Sequence, residues 1–176
     1  MIEMNNRKRF NFACWLITAV LLGGCAGMGE PQNATDFRNV VRNSPFKSME
    51  SFEVARPLAQ VAATLRKLSA QCLDISIKWT GNRGVSGVTT YKPTFIANSR
   101  KAELHVQRKK EGGMTTEIVI GGERPNGTYR AVLDATAVSQ THTKIDLYLW
   151  SAIDDKLLGK ALKGWAKGDN LGCPDL

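Results

Sequence analysis

Residues 56–79 read RPLAQVAATLRKLSAQCLDISIKW. Two periodicities meet in this stretch. Leu58, Val61, Leu65, Leu68 and Cys72 recur at helical spacing, with Arg66, Lys67 and Gln71 off that stripe, so they share one face of a helix. Pro57 suits the first helical position, where a missing N–H costs no bond. From Leu73 the period drops to two. Leu73, Ile75, Ile77 and Trp79 alternate with Asp74, Ser76 and Lys78, which reads as a strand with one buried face. A one-sided helix that runs straight into a one-sided strand places the chain in the α+β class.

Upstream, Ser51–Ala55 alternates and reads as a first strand. Downstream, residues 81–84 turn the chain. Val85 to Ile96 reads as a strand broken at Pro93. Ala102 to Arg108 alternates again, with Leu104 and Val106 on one side and Glu103, His105 and Gln107 on the other. Glu111-Gly112-Gly113 suits a hairpin tip, Thr115 to Ile120 a returning strand, and Pro125-Asn126-Gly127 a turn. Tyr129–Val138 and Thr143–Ala152 read as two strands joined by a polar turn at residues 140–142. A last helix runs from Asp154 to about Lys167, capped by Asp154 and ended by Gly168. Its stripe is Leu157, Leu158, Ala161, Leu162 and Trp165. Its wet side is Lys156, Lys160, Lys163 and Lys167.

The element order is β-α-β(5–6)-α: a curved antiparallel sheet of five to seven strands packed on two helices. Across residues 46–170 this order resembles a helix-grip fold, as in START-like domains. The stretch from Lys156 to Pro174, with Trp165-Ala166-Lys167-Gly168-Asp169 and then Cys173-Pro174, is similar to the ending of a group of uncharacterised bacterial lipoproteins. That group carries no activity over.

The N-terminus reads as an address. Arg7-Lys8-Arg9 precede an apolar run, Phe10 to Gly24, which at 15 residues is short of the roughly 20 that span a membrane. The run ends Leu22-Gly23-Gly24-Cys25, which resembles the lipobox of bacterial lipoproteins. The resemblance implies that Cys25 receives the lipid and that residues 1–24 are cleaved. Ala26, in place of Asp, implies the outer membrane, facing the periplasm. Residues 25–45, with scattered Gly, Pro and Asn, read as a lipidated flexible tether in which Phe37, Val40 and Val41 could dock as one short turn. Residues 46–176 then form the single domain.

Four cysteines are present. Cys14 leaves with the signal peptide and Cys25 takes the lipid. Cys72 and Cys173 remain in an oxidising compartment, so we expect a disulfide between them, with two independent buried thiols as the alternative. No paired Cys or His spacing suggests a metal, and no motif suggests a cofactor.

The 176 residues carry a net charge of +8. Cleavage removes three Lys/Arg and Glu3, which leaves +6. Arg100, Lys101, Arg108, Lys109 and Lys110 form one basic group, and Lys156, Lys160, Lys163 and Lys167 another. Either could meet anionic lipid or envelope glycan. Nucleic acid does not suit an exported chain without interleaved aromatics. The stripe on the last helix points to core packing in preference to a membrane surface.

His105 and His142 are the only histidines and read as solvated. Asp154-Asp155 suits a helix start without acid–base work. The expectation is a non-catalytic, membrane-tethered binding or assembly module of the cell envelope. A carrier of a small apolar ligand is the second reading, and a hydrolase using His105 or His142 the third.

Overall fold

The computed structural model describes residues 30–45, 47–81, 85–112 and 127–176. In chain order the elements are α1 (Ala34–Arg42), β1 (Ser48–Val54), α2 (Leu58–Cys72), β2 (Ile75–Thr80), β3 (Ser86–Ala97), β4 (Lys101–Gly112), β5 (Thr128–Ala137), β6 (Thr143–Leu149) and α3 (Lys156–Lys167). The strands form one open antiparallel sheet in the order β1-β6-β5-β4-β3-β2. The expected strand at 115–120, and parts of the expected turns at 81–84, 111–113 and 125–127, lie outside the described residues.

Strands β2 to β6 run up and down, and β1 closes against β6 from Ser48 opposite Leu149 to Val54 opposite Thr143. Consecutive strands β1 and β2 therefore sit at opposite edges, and α2 connects them across one face of the sheet. The alternation seen in sequence sets that face. Leu104 and Val106 of β4, Leu133 and Ala135 of β5, and Ile145 and Leu147 of β6 are all buried, as are Val61 and Leu65 of α2 and Leu158, Leu162 and Trp165 of α3. These residues form a single apolar cluster, the main core.

Pro93 does not break its strand. β2 pairs with β3 only as far as Tyr91, opposite Ile75. At Pro93 the β3 backbone is thus open on that side while Val106 pairs it on the other, and a missing donor costs nothing at a local edge.

Pro57 is the N-cap of α2 and not its first helical residue. Gly168 ends α3 as expected, in the left-handed region at φ 89°, and its N–H reaches the Gly164 and Trp165 carbonyls at 2.9 and 3.2 Å. The last-turn carbonyls of Trp165 and Ala166 accept from Arg56 Nη1 at 3.2 and 2.9 Å, which ties the end of α3 to the β1–α2 corner. The left-handed backbone favours glycine at position 168, where a Cβ would also meet Arg56 Cζ at 2.9 Å and push that side chain aside.

Cys72, the last residue of α2, is bonded to Cys173 in the C-terminal tail, with Cα atoms 5.0 Å apart. The expected pairing is therefore present.

Residues 34–42, expected as part of a flexible tether, are instead the helix α1, docked on the sheet face opposite α2 and α3.

Candidate functional site

Helix α1 starts where Asn33 Oδ1 accepts the Asp36 N–H at 2.9 Å, an N-cap that also brings an acid into the first turn. Ala34, Phe37 and Val41 follow at i, i+3 and i+7, and all three are buried. They cover Val132 and Tyr148 on the outer face of the sheet, with Tyr129 and Trp150 at the margin. Phe37 lies 5.6 Å from the Tyr129 ring and 6.1 Å from Trp150, within aromatic contact range. Lys47 Nζ sits 3.1 Å from the Trp150 ring centroid.

The same turn of α1 presents Arg38 to a row of strand residues. Glu103 of β4 is opposite Asp134 of β5, and Asp134 is opposite Asp146 of β6. Arg38 grips Asp134 through two bonds, Nε to Oδ2 at 2.8 Å and Nη2 to Oδ1 at 2.6 Å, and Nη2 also donates to Glu103 Oε2. Lys101 Nζ reaches Glu103 Oε1 at 3.0 Å. His105 Nε2 is 3.0 Å from Glu103 Oε2 and donates to it, since an ionised carboxylate only accepts. Further along the helix, Arg42 Nη2 donates to the Tyr148 hydroxyl at 2.5 Å.

The electrostatics follow from this crowding. Burial alone would raise the Glu103 pKa. Bonds from His105, Arg38 and Lys101 together outweigh burial and bring it down to about 2. Burial alone would likewise lower Arg38, but Asp134 and Glu103 hold it above its ordinary value. A carboxylate held that low stays ionised across the physiological range and is a poor proton carrier. The arrangement suits a clamp: planar, bidentate and charge-balanced, holding a helix to a sheet.

This gives an acid-stability test with a definite sign. Glu103 is depressed in the folded state, so its stabilisation is present above pH 4.5 and fades as pH falls toward 2. Between pH 6 and 2.5, wild type should lose on the order of 2 kcal/mol more than Glu103→Gln, read from urea midpoints. Equal losses would contradict the clamp.

A second pair lies where β5 meets α3. The β4–β5 register shifts so that Val106 faces Ala131 while Gln107 faces Tyr129, leaving Arg130 as the extra residue. Arg130 Nε donates to Asp155 Oδ1 at 2.8 Å, and the Ser151 N–H donates to Asp155 Oδ2 at 2.9 Å. Asp155, not Asp154, is the N-cap of α3, and its side chain serves the preceding turn instead of the helix amides.

The sequence-derived residues scatter. His142 is exposed in its turn, with Nδ1 2.9 Å from Thr141 Oγ1. His105 is buried, 8% exposed, and not the solvated histidine its polar alternation suggests, because α1 roofs that face. The two histidines belong to different places on the sheet. The basic groups also divide. Lys101 belongs to the clamp, Lys109 pairs with Glu111 at 2.7 Å, and Arg108 is half-buried. Lys163 pairs with Glu50 at 2.9 Å, and Lys167 lies 5.8 Å from the Phe52 ring. Arg100, Lys110, Lys156 and Lys160 are exposed. Cys25 lies outside the described residues. The sequence reading missed Arg38, Glu103 and Asp134 as a unit. Among the described residues no group of His, Cys, Asp and Glu is arranged to hold a metal ion, and no helix is long and apolar enough to cross a membrane.

No protein-family model and no curated protein matches the chain. Among solved structures it is similar to an uncharacterized protein from Rhizobium leguminosarum, at 9% identity and a TM-score of 0.28, over 68% of this chain and 89% of that one.

Proposed function

We propose that this protein is a cell-envelope lipoprotein: a non-catalytic binding or assembly module held by lipid on Cys25, at the outer membrane and facing the periplasm. The observation that carries the reading is the clamped α1. The lipobox-like Leu22-Gly23-Gly24-Cys25 lies only six residues before Pro31, which is already buried in the fold. Fully extended, those six residues reach about 20 Å. A lipid at Cys25 would therefore hold the domain close to the bilayer, and α1 would pass any pull on the anchor directly into the sheet through Arg38. A tether meant for free diffusion needs no such clamp. The Cys72–Cys173 disulfide supports an oxidising compartment. Several acyl chains make a stable anchor where one would be marginal.

The finer architecture belongs to the same proposal. An order with β1 and β2 at opposite edges, α2 between them and α3 last on the same face supports a helix-grip fold.

The test is fractionation. Cys25→Ser should shift the protein from the membrane pellet to a pellet-free or uncleaved precursor form and abolish incorporation of labelled palmitate. Palmitate labelling that persists in Cys25→Ser would sink the reading.

A further inference from the structure

Beside its core stripe, the start of α3 carries an exposed side. Ile153, in the turn leading into α3, is 85% exposed, and Leu157, four residues on, is 51% exposed. Lys156 and Lys160 are exposed beside them. Lys156, Leu157 and Lys160 lie in the first turns of α3 and Ile153 in the turn before it, so two exposed aliphatic side chains and two exposed lysines are grouped at the start of the helix. Neither lysine has an ion pair among the described residues, whereas Lys163, on the next turn, is paired with Glu50. Asp154 is the one exposed acid in this turn.

We propose that this face docks on an anionic lipid bilayer, with Ile153 and Leu157 entering the headgroup–acyl boundary and Lys156 and Lys160 meeting anionic headgroups. Branched apolar tips flanked by free cations fit a surface that is apolar inside and negative outside. The proposal rests on the lipid-anchor reading in one respect: a short tether keeps the bilayer at high effective concentration, so a weak patch suffices. Leu157, expected in the core stripe of α3, is on its exposed side instead, so the proposed contact and the core packing use different sides of the helix.

The experiment uses the full lipidated protein reconstituted in vesicles of phosphatidylglycerol and phosphatidylcholine carrying brominated acyl chains. Ile153→Trp places a reporter at the tip, and Ile96→Trp, an exposed site on β3, is the reference. Ile153→Trp should be blue-shifted and quenched well beyond both Ile96→Trp and the parent protein. Adding Lys156→Gln and Lys160→Gln should shift the docked–undocked ratio on the order of tenfold toward undocked. Quenching of Ile153→Trp no greater than that of Ile96→Trp overturns the proposal, as does quenching indifferent to the two lysines and to anionic lipid. Flotation of the same samples reads the anchor. A protein that fails to float yet shows tip quenching at excess lipid loses the anchor and keeps the patch. One that floats without tip quenching loses the patch alone.

Discussion

Replacing Asp155 by alanine should cost about 3–5 kcal/mol of stability, because it strands a buried guanidinium. The side chains of Arg130 and Asp155 are only 6% and 5% exposed. Asp155 is the carboxylate the described contacts give Arg130, at 2.8 Å from Nε and 2.7 Å from Nη2, and it also satisfies the Ser151 N–H. Alanine removes the acceptor of Nε and of the Ser151 N–H together with the charge beside Nη2, and frees the turn that starts α3. The carboxylate itself is not at ease. Burial pushes the Asp155 pKa up despite Arg130, the Ser151 amide and the charge of Arg108. Its linkage is thus opposite in sign to that of Glu103: the stability it contributes is complete below the ordinary Asp pKa and declines as pH rises through the shifted one. Two consequences can be measured by chemical denaturation. Asp155→Asn should cost less than Asp155→Ala, since the amide oxygen still accepts. Arg130→Met combined with Asp155→Leu should recover most of the loss, as apolar replacements of buried pairs often do. An alanine variant within 1 kcal/mol of wild type would show that water reaches Arg130 and would contradict this account.

Removing the disulfide should be as costly. Cys72 and Cys173 are 101 residues apart, and closing a loop of about that length restricts the unfolded chain by on the order of 4–5 kcal/mol. The bond also fixes a tail that carries part of the core. Leu171 and Leu176 pack against the main cluster, and Trp165 Nε1 donates to the Leu171 carbonyl at 3.3 Å. Cys72→Ala with Cys173→Ala should therefore lower the guanidinium midpoint strongly, and wild type under reductant should match it. A loss below 1 kcal/mol would mean that the unfolded chain is already restricted without the bond.

The parts of the fold visible in sequence are those set by local periodicity. Leu58, Val61, Leu65 and Cys72 announce α2, and the alternation around Leu104 and Val106 gives the correct faces of β4. Local pattern does not say what covers a face. The polar side of β4 looked like a solvent side because Glu103 and His105 are polar, yet they are covered by a helix that is itself polar. That helix was hard to see. Its apolar stripe is three residues, Ala34, Phe37 and Val41, among Asn, Asp and Arg, and its remaining hold is electrostatic. Arg38 is 65 residues from Glu103 and 96 from Asp134, so no window of sequence contains the clamp. The Arg130–Asp155 pair was hidden for a different reason, since a bulge changes which way one residue points without changing the pattern around it. The Cys72–Cys173 bond could be inferred because elimination within the expected oxidising compartment needs no geometry.

The pairing of β1 with β6 sets a timetable for the molecule. Ser48 must wait for Leu149, 101 residues later, before its strand has a partner. Cys72 waits as long for Cys173, and α1 finds its carboxylates only once β4 and β5 have formed. A chain that emerges N-terminus first thus carries β1 as an unpaired edge until almost all of it has appeared. Its closing contacts are late and mutually dependent, a pattern that slows folding and leaves strand edges open to other chains in the meantime. Of all the segments of the sheet, β1 is the one that most needs shielding before the fold completes.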